Sequence, residues 1–134
     1  MAKLRAAVVG TGSPFPPVEY GGMFHHIGQG NNALIFPGVG LGAVAVNARW
    51  LPDQAFAAAA EALYEYTAPT IRVGAPIYPP LRRLREVSRL VALAVGRALV
   101  EAGAAPEMTK CEIEDRVTAT MWEPVYRPYR PAEA

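Results

Sequence analysis

The chain has 134 residues, the size of one ordinary domain, and a formal net charge of +1. Apolar side chains make up 51% of it and charged ones 19%, a globular composition rather than a disordered one. The near-neutral charge excludes any global attraction to nucleic acid or an anionic membrane surface. The single cysteine, Cys111, cannot close an internal disulfide, which fits a reducing compartment and an ordinary, partly buried thiol.

Residues 1–9 hold too short an apolar run for the core of a signal peptide. The longest uncharged apolar run, 33–46, is interrupted by Pro37 and three glycines, and falls short of the roughly 20 residues a membrane span needs. Together these features predict a soluble cytoplasmic protein.

In chain order, the pattern predicts a buried strand at about 4–9, ending in Val8-Val9. A Gly- and Pro-rich loop follows over 10–30. No second strand is evident, and a lone strand leaves its N–H and C=O groups unpaired, so a partner outside these residues is expected. Helical structure is predicted over 31–47, opened by Asn31-Asn32 as N-cap and divided by Pro37 into a short turn and a second helix from Gly38. That second helix is apolar on every face, which predicts burial all round. A helix at 52–66 starts with Pro52 and Asp53 and closes at Pro69.

The clearest helix is 81–102. Leu84, Val87, Val91, Ala94 and Ala98 mark one face and Arg82, Arg85 and Arg89 another, while 90–95 lacks polar residues and is expected to be buried all round. Gly103 ends it. A shorter helix at 110–122 and a proline-rich extended tail at 123–134 complete the chain.

Gly10-Thr11-Gly12, and Gly28-Gln29-Gly30-Asn31-Asn32-Ala33 as a G-x-G-x-x-A match, invite a dinucleotide reading. The fingerprint needs a strand before it and a long helix after it. Gly28 is predicted to follow a loop, and Ser13-Pro14-Phe15-Pro16-Pro17 cannot open a long helix. Both are therefore read as turn glycines rather than the primary cofactor site. Asn31 and Asn32 stand at a predicted helix N-terminus, where orphan N–H groups suit an anion. Their carboxamides can each donate and accept, which suits a nicotinamide amide; plain capping is the alternative reading. His25-His26 are sequence neighbours that do not point the same way, and no second ligand pair stands at a metal spacing. The arginines at 82, 85 and 89 read as a solvated face, with a subunit contact or anionic ligand as the alternative. The Tyr126–Arg130 tail reads as a docked segment rather than a stacking platform for nucleic acid.

Several sequence words occur together and in order: Thr11-Gly12-Ser13-Pro14-Phe15, Gly28-Gln29-Gly30-Asn31-Asn32, Ile35-Phe36-Pro37-Gly38, Ile77-Tyr78-Pro79-Pro80-Leu81, Arg85-Glu86-Val87-Ser88 and Met121-Trp122-Glu123-Pro124. This run resembles the C-terminal part of malic enzymes, from about Val8 to Pro131, while residues 1–9 depart from the pattern. The resemblance implies the mostly helical C-terminal portion of a doubly wound, Rossmann-type α/β NAD-binding domain, spanning 1–134. It also implies oxidative decarboxylation of L-malate to pyruvate and CO2 with NAD or NADP and a Mn2+ or Mg2+ ion.

By the same resemblance, Gly30, Asn31 and Asn32 line the site for malate or the nicotinamide end of the cofactor. The family's catalytic lysine and tyrosine, its malate-binding arginine, its metal carboxylates and its main dinucleotide fingerprint fall upstream of the matching region. No catalytic residue and no metal ligand is therefore carried over, and the isolated chain is expected to be inactive. Two readings follow. The chain is completed by a second polypeptide that supplies the N-terminal half, or it is a non-catalytic remnant whose apolar surface is covered by self-association. Neither reading calls for nucleic acid or a membrane.

Overall fold

The computed structural model describes residues 8–126 and 128; most of the strand predicted at 4–9 and the end of the tail predicted at 123–134 lie outside them. The stretch 10–30, predicted as loop, carries four short strands: β1 (Gly10–Thr11), β2 (Val18–Tyr20), β3 (Met23–His25) and β4 (Gly28–Gln29). β1 and β4 run parallel, Gly10 opposite Gly28 and Thr11 opposite Gln29. The Gly28 N–H donates to the Val9 carbonyl at 2.9 Å and the Gly30 N–H to the Thr11 carbonyl at 2.8 Å, so the first strand does have a partner within this chain. β2 and β3 form an antiparallel hairpin turned through Gly21 (φ 62°) and Gly22 (φ 77°), a left-handed turn that glycine adopts without steric cost. The Gly-Pro density hid these strands because each has only two or three residues and shows no alternation.

Glycine on β1 and β4 leaves room for what lies across them. A Cβ on Gly10 would sit 2.9 Å from the Ile77 side chain, and one on Gly28 3.0 Å from the Ile77 backbone nitrogen. One on Gly30 would sit 3.2 Å from the Tyr78 ring. Ile77-Tyr78 therefore lies directly on the strand pair.

Four helices follow: α1 (Phe36–Ala45), α2 (Asp53–Thr67), α3 (Leu84–Glu101) and α4 (Lys110–Thr120). Short 3-10 turns at Asn32–Leu34 and Leu81–Arg83 lead into α1 and α3. Pro37 does not divide the region where the sequence suggested. It sits in the first turn of α1, where its missing N–H has no helical acceptor anyway.

α3 is the central helix, with α1, α2 and α4 packed around it. Its buried residues are Val87, Val91, Val95 and Leu99 on one stripe, together with Ser88, Ala92, Leu93 and Gly96. Against these pack Leu34, Val39 and Val46, then Ala55, Ala59 and Leu63, then Ile113 and Val117. The turn at 90–95 is not buried all round, since Leu90 is 37% exposed. Neither is α1. Gly38, Val39, Gly42 and Ala45 face the core, but Phe36 is 55% and Val44 69% exposed on the outer side. Cys111 is exposed rather than partly buried.

Both long connections end in matching stops. α1 closes with Asn47 in the left-handed region (φ 54°) and α3 with Gly103 (φ 68°). In each, the next N–H reaches back across the turn: Ala48 to the Ala43 carbonyl and Ala104 to the Leu99 carbonyl, both at 2.9 Å, which satisfies carbonyls left free at a helix end. Arg49 ties the two stops together, its backbone N–H donating to the Ala104 carbonyl (2.8 Å) and its guanidinium to the Gly103 carbonyl (3.0 Å).

Candidate functional site

The parallel pair β1–β4 gives the chain a carboxyl edge. Gly12-Ser13 leaves one strand there and Gly30-Asn31-Asn32 the other. In open α/β sheets, ligands bind in the crevice outside the carboxyl ends of the strands. Gly30, Asn31 and Asn32 are thus brought together at such an edge, and they enter the 3-10 turn that leads into α1.

The two asparagines are used differently. Asn31 is extended (φ −133°, ψ 132°), and its side-chain oxygen accepts from the Ala33 N–H at 2.9 Å. Its carbonyl accepts from the Leu34 N–H at 3.0 Å. Asn31 therefore caps the turn, and its NH2 group remains to donate elsewhere. Asn32 is exposed, and its side chain has no hydrogen-bond partner among the described residues.

These residues open into a cleft of about 580 Å³. Leu34 and Ile35 form one wall; Leu63, Tyr64 and Thr67 of α2, with Ile77 and Tyr78, form another. The cleft is mainly apolar with a few polar groups, as a cofactor or substrate cleft is. Thr67 is buried, and its hydroxyl donates to the Leu63 carbonyl (2.8 Å), so it serves the helix end rather than a ligand.

Among the described residues, no Lys, His, Asp, Glu or Cys lines this cleft. Its residues can bind and orient a ligand through carboxamides, backbone groups and the Tyr64 and Tyr78 hydroxyls. Among the described residues, no group of three His, Cys, Asp or Glu side chains stands close enough to hold a metal ion. The donor set fits the amide of a nicotinamide, because one carboxamide keeps a free donor and the other both functions. It does not fit a divalent cation, which takes carboxylates or several carbonyl oxygens.

The remaining sequence candidates lie elsewhere. Gly28 follows the loop residues His26-Ile27, as read from the sequence, and opens β4, and a strand of two residues leading into a 3-10 turn is not the strand–turn–long helix of the dinucleotide fingerprint. His25 approaches the Tyr20 carbonyl at 3.3 Å. Arg85 donates to the Trp122 carbonyl at 2.6 Å and pairs with Glu123; Arg89 pairs with Glu114 at 3.1 Å. The arginine face thus holds α4 and the segment after it. Near its start, burial and then the nearby Glu86 carboxylate push the Tyr66 phenol up from its ordinary value.

Tyr64 and Tyr78 are the cleft residues that sequence reasoning missed. Tyr78 had a signal, because a bulky ring three residues before Leu81 must lie on something, and three glycines without Cβ atoms receive it. Tyr64 had none, because an exposed aromatic on an alanine-rich helix looks like any other surface residue.

A two-stranded parallel edge leading through a capped turn into a helix, with further helices packed behind, defines a segment of an open α/β domain of the dinucleotide-binding class. Residues 3–100 match the family described as malic enzyme, NAD binding domain, and the chain belongs to that family. The match extends to residue 3, upstream of the Val8 at which the resemblance begins in the sequence. The chain is 44% identical over 127 residues to NAD-dependent malic enzyme 3 of Bacillus subtilis (strain 168). It is 44% identical over 124 residues to an NAD-dependent malic enzyme of Pseudomonas syringae pv. syringae (strain B728a), and 40% over 124 residues to one of Vibrio campbellii. Each similarity covers 92% of this chain and 22% of the relative's length. No described helix is long and apolar enough to cross a membrane.

Proposed function

We propose that the Gly30–Asn32 cleft receives the nicotinamide end of NAD, with L-malate beside it, in an NAD-dependent malic enzyme to which this chain contributes a C-terminal segment. The observation that carries the reading is the pair of carboxamides at the carboxyl edge of β1 and β4, in a cleft that has donors and acceptors but no titratable side chain other than tyrosine. Asn31 holds the turn in place and donates through its NH2 group; Asn32 donates and accepts freely. Bound NAD supplies the hydride acceptor for oxidising malate. Gly30 lets backbone and ring come close without a side chain in the way. NAD rather than NADP is the reading that the relatives' names favour. The Mn2+ or Mg2+ of the family's chemistry finds no carboxylate ligand among the described residues of this cleft.

On this reading the chain alone neither reduces NAD nor releases pyruvate when given malate and Mn2+, yet binds NAD weakly. The test pairs that assay with NAD binding followed by saturation-transfer NMR. Asn32→Ala should abolish the nicotinamide signals while leaving the fold intact. Turnover by the chain alone, or nicotinamide contacts that survive Asn32→Ala, would sink the proposal.

A second reading has its own support. Phe36 and Val44 expose an apolar outer face on α1, and such surfaces mark contact sites. In that reading the chain is a non-catalytic module that self-associates, or docks a polypeptide carrying the rest of the enzyme, through this face.

A further inference from the structure

A second cleft, of about 890 Å³, lies between the β2–β3 hairpin and the segment that precedes α3. It shares only Tyr78 with the asparagine cleft. We propose that it binds a phosphate monoester carried on a planar apolar body, with Arg72 and Arg82 taking the phosphate. This goes beyond the proposed function and uses none of its residues except the shared tyrosine ring.

The cleft is cationic: Arg72, Arg82 and His26 line it, and no Asp or Glu does among the described residues. The other arginines at the start of α3 are engaged: Arg83 with Glu86 at 3.0 Å, Arg85 with Glu123 and Arg89 with Glu114. Neither Arg72 nor Arg82 pairs with a carboxylate among the described residues. Guanidinium forks without a carboxylate partner match phosphate oxygens in shape and charge.

The same two arginines also line an adjoining cleft of about 470 Å³, which again has no carboxylate among its described residues. They stand on a rim between these two hollows; Arg82 also borders a cleft holding Glu86 and Glu123, which pair with Arg83 and Arg85 instead.

The floor of the cleft is aromatic. Phe15 and Phe24 are 58% and 65% exposed and line the first cleft with Tyr78. Aromatic faces beside a cationic rim suit a flat ring attached to an anion. The frame is built rather than loose. The His26 N–H donates to the Gly74 carbonyl at 2.9 Å, and Gly74 is left-handed (φ 82°), with its Cβ position 2.9 Å from the Phe24 carbonyl. The loop that bears Arg72 is thereby pinned to the hairpin that bears Phe24.

The test is calorimetric titration of the full chain with AMP and with adenosine as probes. Four proteins are compared: the unaltered chain, Arg72→Met, Arg72→Met combined with Arg82→Met, and Asn31→Ala combined with Asn32→Ala. Far-UV circular dichroism checks that each keeps its helices. AMP should bind, adenosine should bind at least about tenfold more weakly, and the double arginine variant should lose at least about tenfold in AMP affinity, as charge-assisted contacts require. AMP binding should weaken with added salt and survive in the asparagine variant. Equal binding of AMP and adenosine, AMP binding that persists without both arginines, or no AMP binding at millimolar concentration would overturn the proposal. Loss of AMP binding only in the asparagine variant would also overturn it, while leaving the proposed function standing.

Discussion

The glycines of α1 give a sharp test of the packing that supports the site. Gly38, Gly40 and Gly42 lie on one helix, yet a methyl group added to each meets very different surroundings. At Gly38 it would lie 2.5 Å from the Val91 Cβ and 2.9 Å from the Ser88 carbonyl oxygen. At Gly42 it would lie 2.7 Å from the Ala92 carbonyl oxygen and 3.1 Å from the Val95 Cβ. At Gly40 nothing lies within 4 Å. Ordinary carbon contacts fall at about 3.5–4.0 Å, and backbone and Cβ atoms cannot rotate away, so α1 must move off α3 to admit either of the first two. Overpacking of this kind costs about 1–3 kcal/mol. Alanine recovers at most about 1 kcal/mol over glycine inside a helix. Gly42→Ala should therefore destabilise the fold by about 1–2 kcal/mol, and Gly38→Ala by as much or more. Gly40→Ala should stabilise it by up to about 1 kcal/mol. Urea unfolding followed by far-UV circular dichroism reads these as midpoint shifts of opposite sign at constant slope. If Gly42→Ala shifts the midpoint in the same direction as Gly40→Ala, the close approach of α1 to α3 is wrong, and with it the placement of the turn that carries Asn31 and Asn32.

Three further substitutions probe the start of α4 and the open face of α1. The start of α4 is a capping box: the Thr109 hydroxyl accepts from the Glu112 N–H (3.3 Å), and the Glu112 carboxylate accepts from the Thr109 N–H (2.7 Å). Thr109→Ala should cost about 1 kcal/mol, seen as a lower thermal midpoint. The Thr109 N–H, and then its hydroxyl, hold the Glu112 carboxyl below its ordinary 4.5. A carboxyl pKa depressed by folding contributes its stability in full above the unfolded value and loses it as pH falls through the folded one. Glu112→Ala should therefore destabilise at neutral pH, and the difference from the unaltered chain should vanish on acidification well below 4.5; a difference that persists in acid would refute this role. Val44→Lys, on the outer face of α1, should change unfolding stability by no more than about 0.5 kcal/mol. By sedimentation it should disperse any self-association through that face, and unaltered association would remove α1 as the contact.

Much of this protein could be read from its residues. The order of helices followed from local signals: Pro52 and Asp53 opening α2, Gly103 stopping α3, and the spacing of Val87 and Val91 turning one stripe of α3 inward. The family was legible too, because several uncommon words stand in order, among them Gly28–Asn32 and Tyr78–Leu81. Local chemistry carries such features, since caps, breakers and helical periodicity act within a few residues.

What tertiary structure decided is contact between distant segments. β1 and β4 are strands only because they pair with each other, and Gly10, Gly28 and Gly30 are glycines because Ile77 and Tyr78 lie across them. α1 looked uniformly apolar, yet only packing showed that Gly38 and Gly42 form its buried side while Phe36 and Val44 stay outside. The acid-free cleft bearing Arg72 and Arg82 joins a hairpin to a loop some fifty residues further along. No local pattern encodes such a meeting, because it depends on how the chain folds back and not on which residues are neighbours in sequence.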